Sequence, residues 1–528
     1  MTDVWWKSTV LYQIYPRSFQ DSGEDGVGDL AGIRARLDHL TELGVDALWL
    51  SPIFTSPMAD FGYDVSDYCG IDPLFGRMAD FDALLNDAHA RGIKVVLDFV
   101  PNHSSDRHPW FIESGSSRNN PKRDWYIWRD PASDGGPPNN WLSEFGGRAW
   151  TFDEKTKQYY YHAFLKEQPD LNWRNPDVVA AMHDVLRFWM KRGVDGIRLD
   201  AVWFLIEDDR LRDNPENPDW RPDDPPDRRL LPVYSGDRPE VHDALRGMRK
   251  VIDEFPDRLL IGEIYLPIER LMAYYGHDLS ETHLPFNFAL LKTAWHARTV
   301  AALIDEYEAA LPKDAWPNWV LGNHDRPRVA GRIGEAQARV AAMLLLTLRG
   351  TPTLYYGDEI GLPQATIPPE LVQDPFEKNV PGLGLGRDGC RTPMQWDASP
   401  NAGFSRATPW LPVSADYATR NVEVERADAA SLYTLYRRLI ALRRAHRALA
   451  TGSYRSVSAE GDALAYIREG NGERFLVALN FGAQLASVAL PGQGRGTVLL
   501  SVIGDRAGEK VAGRLSLAGN GGLLIKLD

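Results

Sequence analysis

The stretch Asp195–Val202 reads DGIRLDAV, and where it sits decides the fold. Gly196, Ile197, Leu199 and Val202 suit a buried strand, yet Arg198 and Asp200 interrupt its second half. Side chains at i and i+2 of a strand share a face, so Arg198 and Asp200 point one way while Ile197 and Leu199 point the other. Two opposite charges on one face of an apolar strand need either partners or a task.

The surroundings supply a rhythm. VVAAMHDVLRFWMKRG (Val178–Gly193) has helical spacing and leads into this strand, as FDALLNDAHARG leads into KVVLDFVPNH (Lys94–His103) and GIRARLDHLTELG separates VLYQIYP (Val10–Pro16) from DALWLSP (Asp46–Pro52). Such alternation builds βαβ units around a parallel sheet. RLLIGEIY (Arg258–Tyr265), WVLGNHD (Trp319–Asp325), TPTLYYGDE (Thr351–Glu359) and a weaker LPFNF bring the strands to eight, the number that closes a (β/α)8 barrel. The rival, an open doubly wound sheet, is disfavoured because no glycine-rich phosphate turn follows the first strand.

The rhythm breaks over 104–174, rich in Pro, Gly, Asn and Trp, which reads as a small domain inserted after the third strand. After SLYTLYRRLIALRRAHRAL (Ser431–Leu449), short alternating strands with Gly-rich turns predict an antiparallel β-sandwich over 451–528. The expected α/β architecture is therefore a TIM barrel in two parts, 1–103 and 175–450, with the insert between them and the sandwich behind.

Composition narrows the ligand. The net charge of -14 argues against nucleic acid, since a phosphate-tracking surface needs excess Lys and Arg. A neutral ligand fits better, and the 17 Trp and 20 Tyr offer flat surfaces that suit sugar stacking as well as large cores. Cys69 and Cys390 are too few for a disulfide framework and read as free thiols. The N-terminus lacks the pattern of a signal peptide, and the longest apolar run, Ala341–Leu348, is too short to span a bilayer. The expectation is a cytoplasmic enzyme without a membrane partner.

Charged residues fall at strand ends: Asp98 with Asn102 and His103, Asp200, Glu263, and His324 with Asp325. In a barrel enzyme that rim is where chemistry is assembled. A single Asp at a βα junction is as often a helix cap as a functional group. Carboxylates from separate strands at one rim repel one another unless a ligand, a proton or an arginine compensates, which makes the cluster a candidate site. Without a nucleophilic Ser or Cys motif, a metal-binding His pair or a cofactor fingerprint, paired carboxylates point to glycoside hydrolysis. Arg198 is expected to lower the pKa of Asp200 and keep it charged. Glu263, with no cation adjacent in sequence, is the candidate for a raised pKa and for proton donation.

DFVPNH, GIRLDAV, GEIY and GNHD, in this order, resemble the four sequence regions of the α-amylase family of glycoside hydrolases, family 13. QPDLNW (Gln168–Trp173), WWKSTVLYQIYPRSF, MADFGYD and GCRTPMQW resemble its α-glucosidase and oligo-1,6-glucosidase branch, so the likeness covers nearly the whole chain. The resemblance implies that Asp200 is the nucleophile forming a covalent β-glucosyl intermediate, Glu263 the general acid and base, and Asp325 the holder of the 2- and 3-hydroxyls. It further implies that Asp60, Tyr63, His103, Arg198, His324 and Arg391 grip the glucosyl unit, with Asp60 and Arg391 closing the pocket behind its non-reducing end. Phe145 and Phe164 are candidates to line the entrance, with core packing of the insert as the alternative. Ala201, the residue after the nucleophile, is small, as in α-1,4-selective members.

The activity implied is that of a retaining exo-acting α-glucosidase that takes terminal α-glucosyl residues, α-1,4 favoured, from short oligosaccharides or glucosides, with room for transglucosylation. Alternatives are an oligo-1,6-glucosidase, a glucosyltransferase or isomerase acting on sucrose or maltose, and a catalytically dead relative serving as a transporter subunit. The three carboxylates and the lack of an anchor speak against the last. DSGEDGVGD (Asp21–Asp29) resembles the family's cation loop, with Gly23 where a side-chain amide ligand is usual. Asp21, Asp25, the Val27 carbonyl and Asp29 would bind a structural Ca²⁺ or Mg²⁺ ion, and an acidic surface turn is the other reading. No cofactor is expected for catalysis. The partner is a small sugar, with no nucleic acid and no membrane, acted on by a monomer or homodimer.

Overall fold

A computed structural model describes residues 4–528. Its largest sheet holds β1 (Leu11–Ile14), β2 (Ala47–Leu50), β3 (Lys94–Phe99), β4 (Gly196–Leu199), β5 (Leu259–Ile264), β6 (Leu284–Asn287), β7 (Asn318–Val320) and β8 (Thr351–Tyr355). Each strand pairs in parallel with the next from β1 to β6, β7 pairs with β8, and β8 returns to β1. The ladder's two end strands, β6 and β7, lie in contact and close the ring. This is the (β/α)8 barrel that the sequence implied.

The strands are apolar almost throughout because both faces are covered. Leu48, Leu50, Val95, Leu97, Ile197 and Leu199 face outward into a core shared with the helices, whereas Leu11, Ala47, Trp49, Val96, Leu259, Ile261 and Phe286 fill the interior. The same alternation turns Arg198 inward. Register sets it opposite Asp98 on β3 and Ile261 on β5.

The helix before β4 spans Pro176–Arg192. Asn175 caps it by accepting from the Asp177 N–H, Pro176 occupies its first turn, and Gly193 ends it in the left-handed region at φ 104. Asp195 then enters the barrel from below, bonded to His89 at 2.6 Å and Lys94 at 2.9 Å. It lies at the face opposite the site, so its role is to fasten the strand.

Between β3 and that helix the chain forms a three-stranded antiparallel sheet of Trp128–Arg129, Gln158–Tyr161 and Trp150–Asp153. Trp141, Trp150 and Tyr161 pack there with Ala201 and Phe204, which seats the excursion on the end of β4. A second excursion, over 208–240, has little regular structure beyond a turn at Pro226–Arg229 and a bridge between Glu216 and Leu230. The sequence reading did not single it out. After the barrel, a six-stranded and a three-stranded antiparallel sheet enclose their own apolar core. Among the described residues no helix is long and apolar enough to cross a membrane.

Candidate active site

The C-terminal ends of the strands open on a cavity of about 600 Å³. Arg198 lies buried at its floor, its guanidinium 4.9 Å from the centre of the Trp49 ring. Nη1 donates to Asp98 Oδ1 and to Asp200 Oδ1, each at 2.7 Å, and Nη2 stands 2.9 Å from Glu263 Oε2. One guanidinium thus serves three carboxylates from three consecutive strands.

This arrangement corrects two expectations. Glu263 does have a cation beside it, supplied across the barrel by β4 and invisible in its own strand. Asp200 is not held low by Arg198: burial first, and then the charge of Glu263, lift its carboxyl well above the ordinary range, and the pull of Arg198 does not outweigh them. Burial likewise pushes Asp98 up to about 6 against Arg198. Three carboxylates facing one buried guanidinium repel one another more than a single cation offsets. Glu263 Oε2 also accepts the Ala201 N–H at 2.9 Å, which draws that carboxylate toward Asp200.

A second chain of contacts runs up the wall. Gln13 Nε2 lies 2.8 Å from His324 Nδ1, His324 Nε2 lies 2.6 Å from the Tyr63 hydroxyl, and that hydroxyl donates to Asp98 Oδ2 at 3.2 Å. The Tyr63 and His324 rings stack with centroids 5.3 Å apart. Burial keeps His324 well below its usual pKa and brings His103 down to about 3, so both imidazoles are neutral donor–acceptors. His103 Nε2 sits 3.2 Å from the Tyr63 carbonyl and 3.1 Å from Gln168 Nε2.

The closed end is built on Asp60 and Asp325. Arg387 Nη2 donates to Asp60 Oδ1 at 2.7 Å and to Asp374 Oδ1 at 2.6 Å, and its Nη1 lies 3.4 Å from Asp325 Oδ1. The resemblance set Arg391 beside Asp60 in closing this end of the pocket. Arg391 instead stands behind the wall, donating to the His324 carbonyl at 2.8 Å and to Asp325 Oδ1 at 3.0 Å. Against burial, His324, Arg387 and Arg391 hold the Asp325 carboxyl below the usual carboxylate range, so it stays ionised. Arg387 was missed because its signal, an arginine four positions before Arg391 in the same loop, is indistinguishable from any surface cation without the fold.

Phe145 and Phe164 do line the cavity. Phe145 meets Phe376 at 5.4 Å and lies under the Arg387 guanidinium at 4.8 Å, while Phe164 meets Phe204 at 5.4 Å and His103 at 5.1 Å. Both therefore pack and line. Ala201 is on the wall in a left-handed conformation, φ 44. Residues of the 208–240 excursion, with Glu144, Tyr265, Lys292 and Arg326, complete the mouth; none was singled out from sequence.

The acidic loop Asp21–Asp29 lies elsewhere. Asp21 Oδ1 accepts the Gly23 and Glu24 N–H groups at 2.8 Å and its Oδ2 the Gly26 N–H at 2.9 Å and the Ser405 hydroxyl at 2.5 Å. Asp25 takes the Val27 N–H, and Asp29 takes Ser22 and caps the next helix through Gly32 N. With both oxygens of Asp21 and of Asp29 and one of Asp25 accepting from donors of the protein itself, these side chains do not fit a cation as arranged, and no group of three acidic, His or Cys side chains among the described residues is placed to hold one.

Comparison with known proteins agrees with this geometry. The family model "Alpha amylase, catalytic domain" matches residues 13–452, and "Maltogenic Amylase, C-terminal domain" matches 454–521. A probable alpha-glucosidase of Rhizobium meliloti is 45% identical over 92% of this chain and 91% of its own length. An oligo-1,6-glucosidase of Halalkalibacterium halodurans is 38% identical over 93% of each chain. The crystal structure of the alpha-glucosyl transfer enzyme XgtA superposes with a TM-score of 0.94 at 42% identity, covering 100% of both chains. Barrel, charged rim and sequence together make this chain a member of the α-amylase family of glycoside hydrolases, alongside the α-glucosidases and oligo-1,6-glucosidases.

Proposed function

We propose that the protein is a retaining, exo-acting α-glucosidase that removes terminal α-glucosyl units, α-1,4-linked by preference, from short oligosaccharides or glucosides. The observation that carries this reading is the pairing of Asp200 with Glu263 on one buried guanidinium, at the floor of a cavity closed by Asp60 and Arg387. In this reading Asp200 attacks the anomeric carbon. Glu263 protonates the leaving oxygen and then activates water, and Asp325 holds the sugar hydroxyls as an ionised acceptor.

Retention is supported by proximity: Asp200 and Glu263 both meet the one Arg198 guanidinium, at 2.7 and 2.9 Å, which favours the close carboxyl spacing of retaining enzymes over the wider gap that holds a water on the opposite face. Exo-action is supported by the Asp60–Arg387 pair, which blocks a chain from running through. With the sugar bound, Asp200 keeps Arg198 as its charge partner.

Transfer to an acceptor hydroxyl is the second reading, favoured by the likeness to XgtA, since water and an alcohol attack the same intermediate. Product analysis on maltose, isomaltose, sucrose and trehalose, with and without an added alcohol, separates the readings. Glucose from maltose exceeding that from isomaltose is expected. Isomaltose turned over faster than maltose would reverse the linkage assignment, and glucosides dominating over glucose would favour transfer.

A further inference from the structure

The aglycone side of the cavity carries charge that the proposed chemistry does not use. Glu144, Asp227, Arg228, Lys292 and Arg326 all line it. Their position relative to the reacting atoms is fixed through Tyr265, which follows the strand of Glu263 and lies near enough to feel the charges of Glu263, Asp325 and Arg326. Lys292 Nζ lies 4.6 Å and the Arg326 guanidinium 5.3 Å from the centre of the Tyr265 ring. Arg326 directly follows Asp325 and feels the charges of both Asp325 and Glu263. The cations therefore stand beside the proton donor, where a leaving group departs, and away from the closed end.

These charges are not spent on one another. Arg387, Arg391 and Arg198 each form ion pairs, but among the described residues Arg228, Lys292 and Arg326 form none. Arg326 Nε is buried without a hydrogen-bond partner, as is Asp227 Oδ1. Burial, with Asp227 beside it, pushes Glu144 up to about 8, so it is protonated at neutral pH and does not offset the cations, whose carboxylate neighbour is then Asp227. Burial, with Arg326 beside it, brings Lys292 down only to about 8, so it remains cationic there. Three cations beside the single Asp227 carboxylate, which feels the charges of Arg228 and Arg326, leave a net positive cluster at this rim in a chain of net charge -14. A neutral sugar in that place would leave the cluster unmatched. The planar fork of Arg and the point charge of Lys match a carboxylate or phosphate oxygen set.

Resting on the glucosidase reading above, we infer that the aglycone subsite is built for a second group bearing an anion, a carboxylate or a phosphate monoester, held by Arg326, Lys292 and Arg228. The preferred substrates are then α-glucosides of small hydroxy acids or phosphorylated alcohols, and the preferred acceptors in transfer are the same anions.

The test uses the whole chain and matched aryl α-glucosides: 4-carboxyphenyl and 4-phosphonophenyl against the neutral, similarly shaped 4-carbamoylphenyl. The ratio of kcat/KM, charged over neutral, is expected to be about ten or more at low ionic strength, to fall as salt is added, and to drop toward one in Arg326→Gln/Lys292→Gln. The larger of the two charged ratios identifies carboxylate or phosphate as the anion class. Arg228→Gln, at an exposed side chain, is expected to lower the ratio as well and serves if the double variant does not fold. Turnover of all three glucosides with a ratio of one or below, or a ratio that survives both sets of substitutions, would overturn this inference alone. Turnover of none would overturn the glucosidase reading and this inference with it.

Discussion

Arg387 Nη2 donates to Asp60 Oδ1 at 2.7 Å, tying the loop after β8 to the loop after β2 across the closed end of the cavity. The same guanidinium binds the buried Asp374 and reaches Asp325. Removing it leaves carboxylates buried without a counter-charge, a loss of roughly 3–5 kcal/mol for a pair of this kind. Arg387→Ala should therefore lower kcat/KM on maltose by about 10²–10³-fold, mainly through KM, and lower Tm as well. Arg387→Lys should recover only part, because an ammonium cannot reach several carboxylates in one plane. A variant within twofold of wild type would show that the clamp plays no part in binding.

The two floor carboxyls are predicted to separate by leaving group. Asp200→Asn should abolish turnover of 4-nitrophenyl α-glucoside as well as maltose, since no nucleophile remains. Glu263→Gln should lose roughly 10²–10⁴-fold on maltose, whose alkoxide leaves poorly, and much less on the aryl glucoside, whose phenolate leaves without a proton. Steady-state kinetics on both substrates checks this. Equal losses on the two by Glu263→Gln would remove it from proton donation.

What the sequence made legible follows from local order. The barrel could be read because each strand and its preceding helix are contiguous, and strand-end carboxylates are visible one strand at a time. What could not be read depends on the ring. Glu263 looked free of cations until Arg198, on the adjacent strand, was set 2.9 Å from it. Charge alone suggested a low pKa for Asp200, whereas burial, which no short motif reports, decides the direction. Arg387 and Arg391 occupy one loop, and only the turn at Asp388–Cys390 separates the arginine that meets Asp60 from the one behind the wall. The 208–240 excursion has no periodicity to announce it, yet it supplies much of the mouth.

A pH dependence of stability is expected from Asp358, just after β8. It is buried, its Oδ1 has no hydrogen-bond partner, and burial pushes its carboxyl up to about 7 despite Arg328. The folded state binds this proton more tightly than the unfolded chain does. The stability it contributes is therefore complete below about pH 4 and is lost as pH rises through about 7. Asp358→Asn mimics the protonated form, so the variant should match wild type near pH 3–4 and exceed it by on the order of 2–4 kcal/mol near pH 8. Thermal melts of both proteins across that range would show the difference growing with pH. A constant difference would mean that this carboxyl does not titrate on folding as described.

The acidic loop at Asp21–Asp29 should behave as a self-supporting turn. Its carboxylates are already taken up by Gly23, Glu24, Gly26, Ser405, Ser22 and Gly32, so a cation would have to displace donors that cost it nothing to keep. Chelator is expected to leave Tm unchanged, and added Ca²⁺ or Mg²⁺ to raise it by no more than about a degree. A fall on chelation that Ca²⁺ restores would show that the loop rearranges around an ion. Asp29→Ala, by contrast, should cost about 1 kcal/mol through loss of a helix cap whatever the ion does.

Ala201 joins linkage choice to backbone strain. It follows Asp200, takes φ 44 and ψ 39, donates its N–H to Glu263 and packs with Phe204 and Trp141 at the foot of the insert. A β-branched residue in the left-handed region meets its own carbonyl, at a cost of roughly 1–3 kcal/mol. Ala201→Val should thus lower Tm while the two new methyl groups narrow the wall beside the leaving group. An α-1,4 bond joins the second ring directly through a ring carbon and needs that space, whereas an α-1,6 bond carries a rotatable methylene that lets the ring step around the obstruction. The maltose-to-isomaltose ratio of kcat/KM should therefore fall at least several-fold in Ala201→Val. Ala201→Gly, which relieves the φ strain without adding bulk, should leave the ratio near that of wild type. If the valine variant lost stability but kept the ratio, Ala201 would be a strained hinge of the nucleophile loop and linkage would have to be set by the opposite wall.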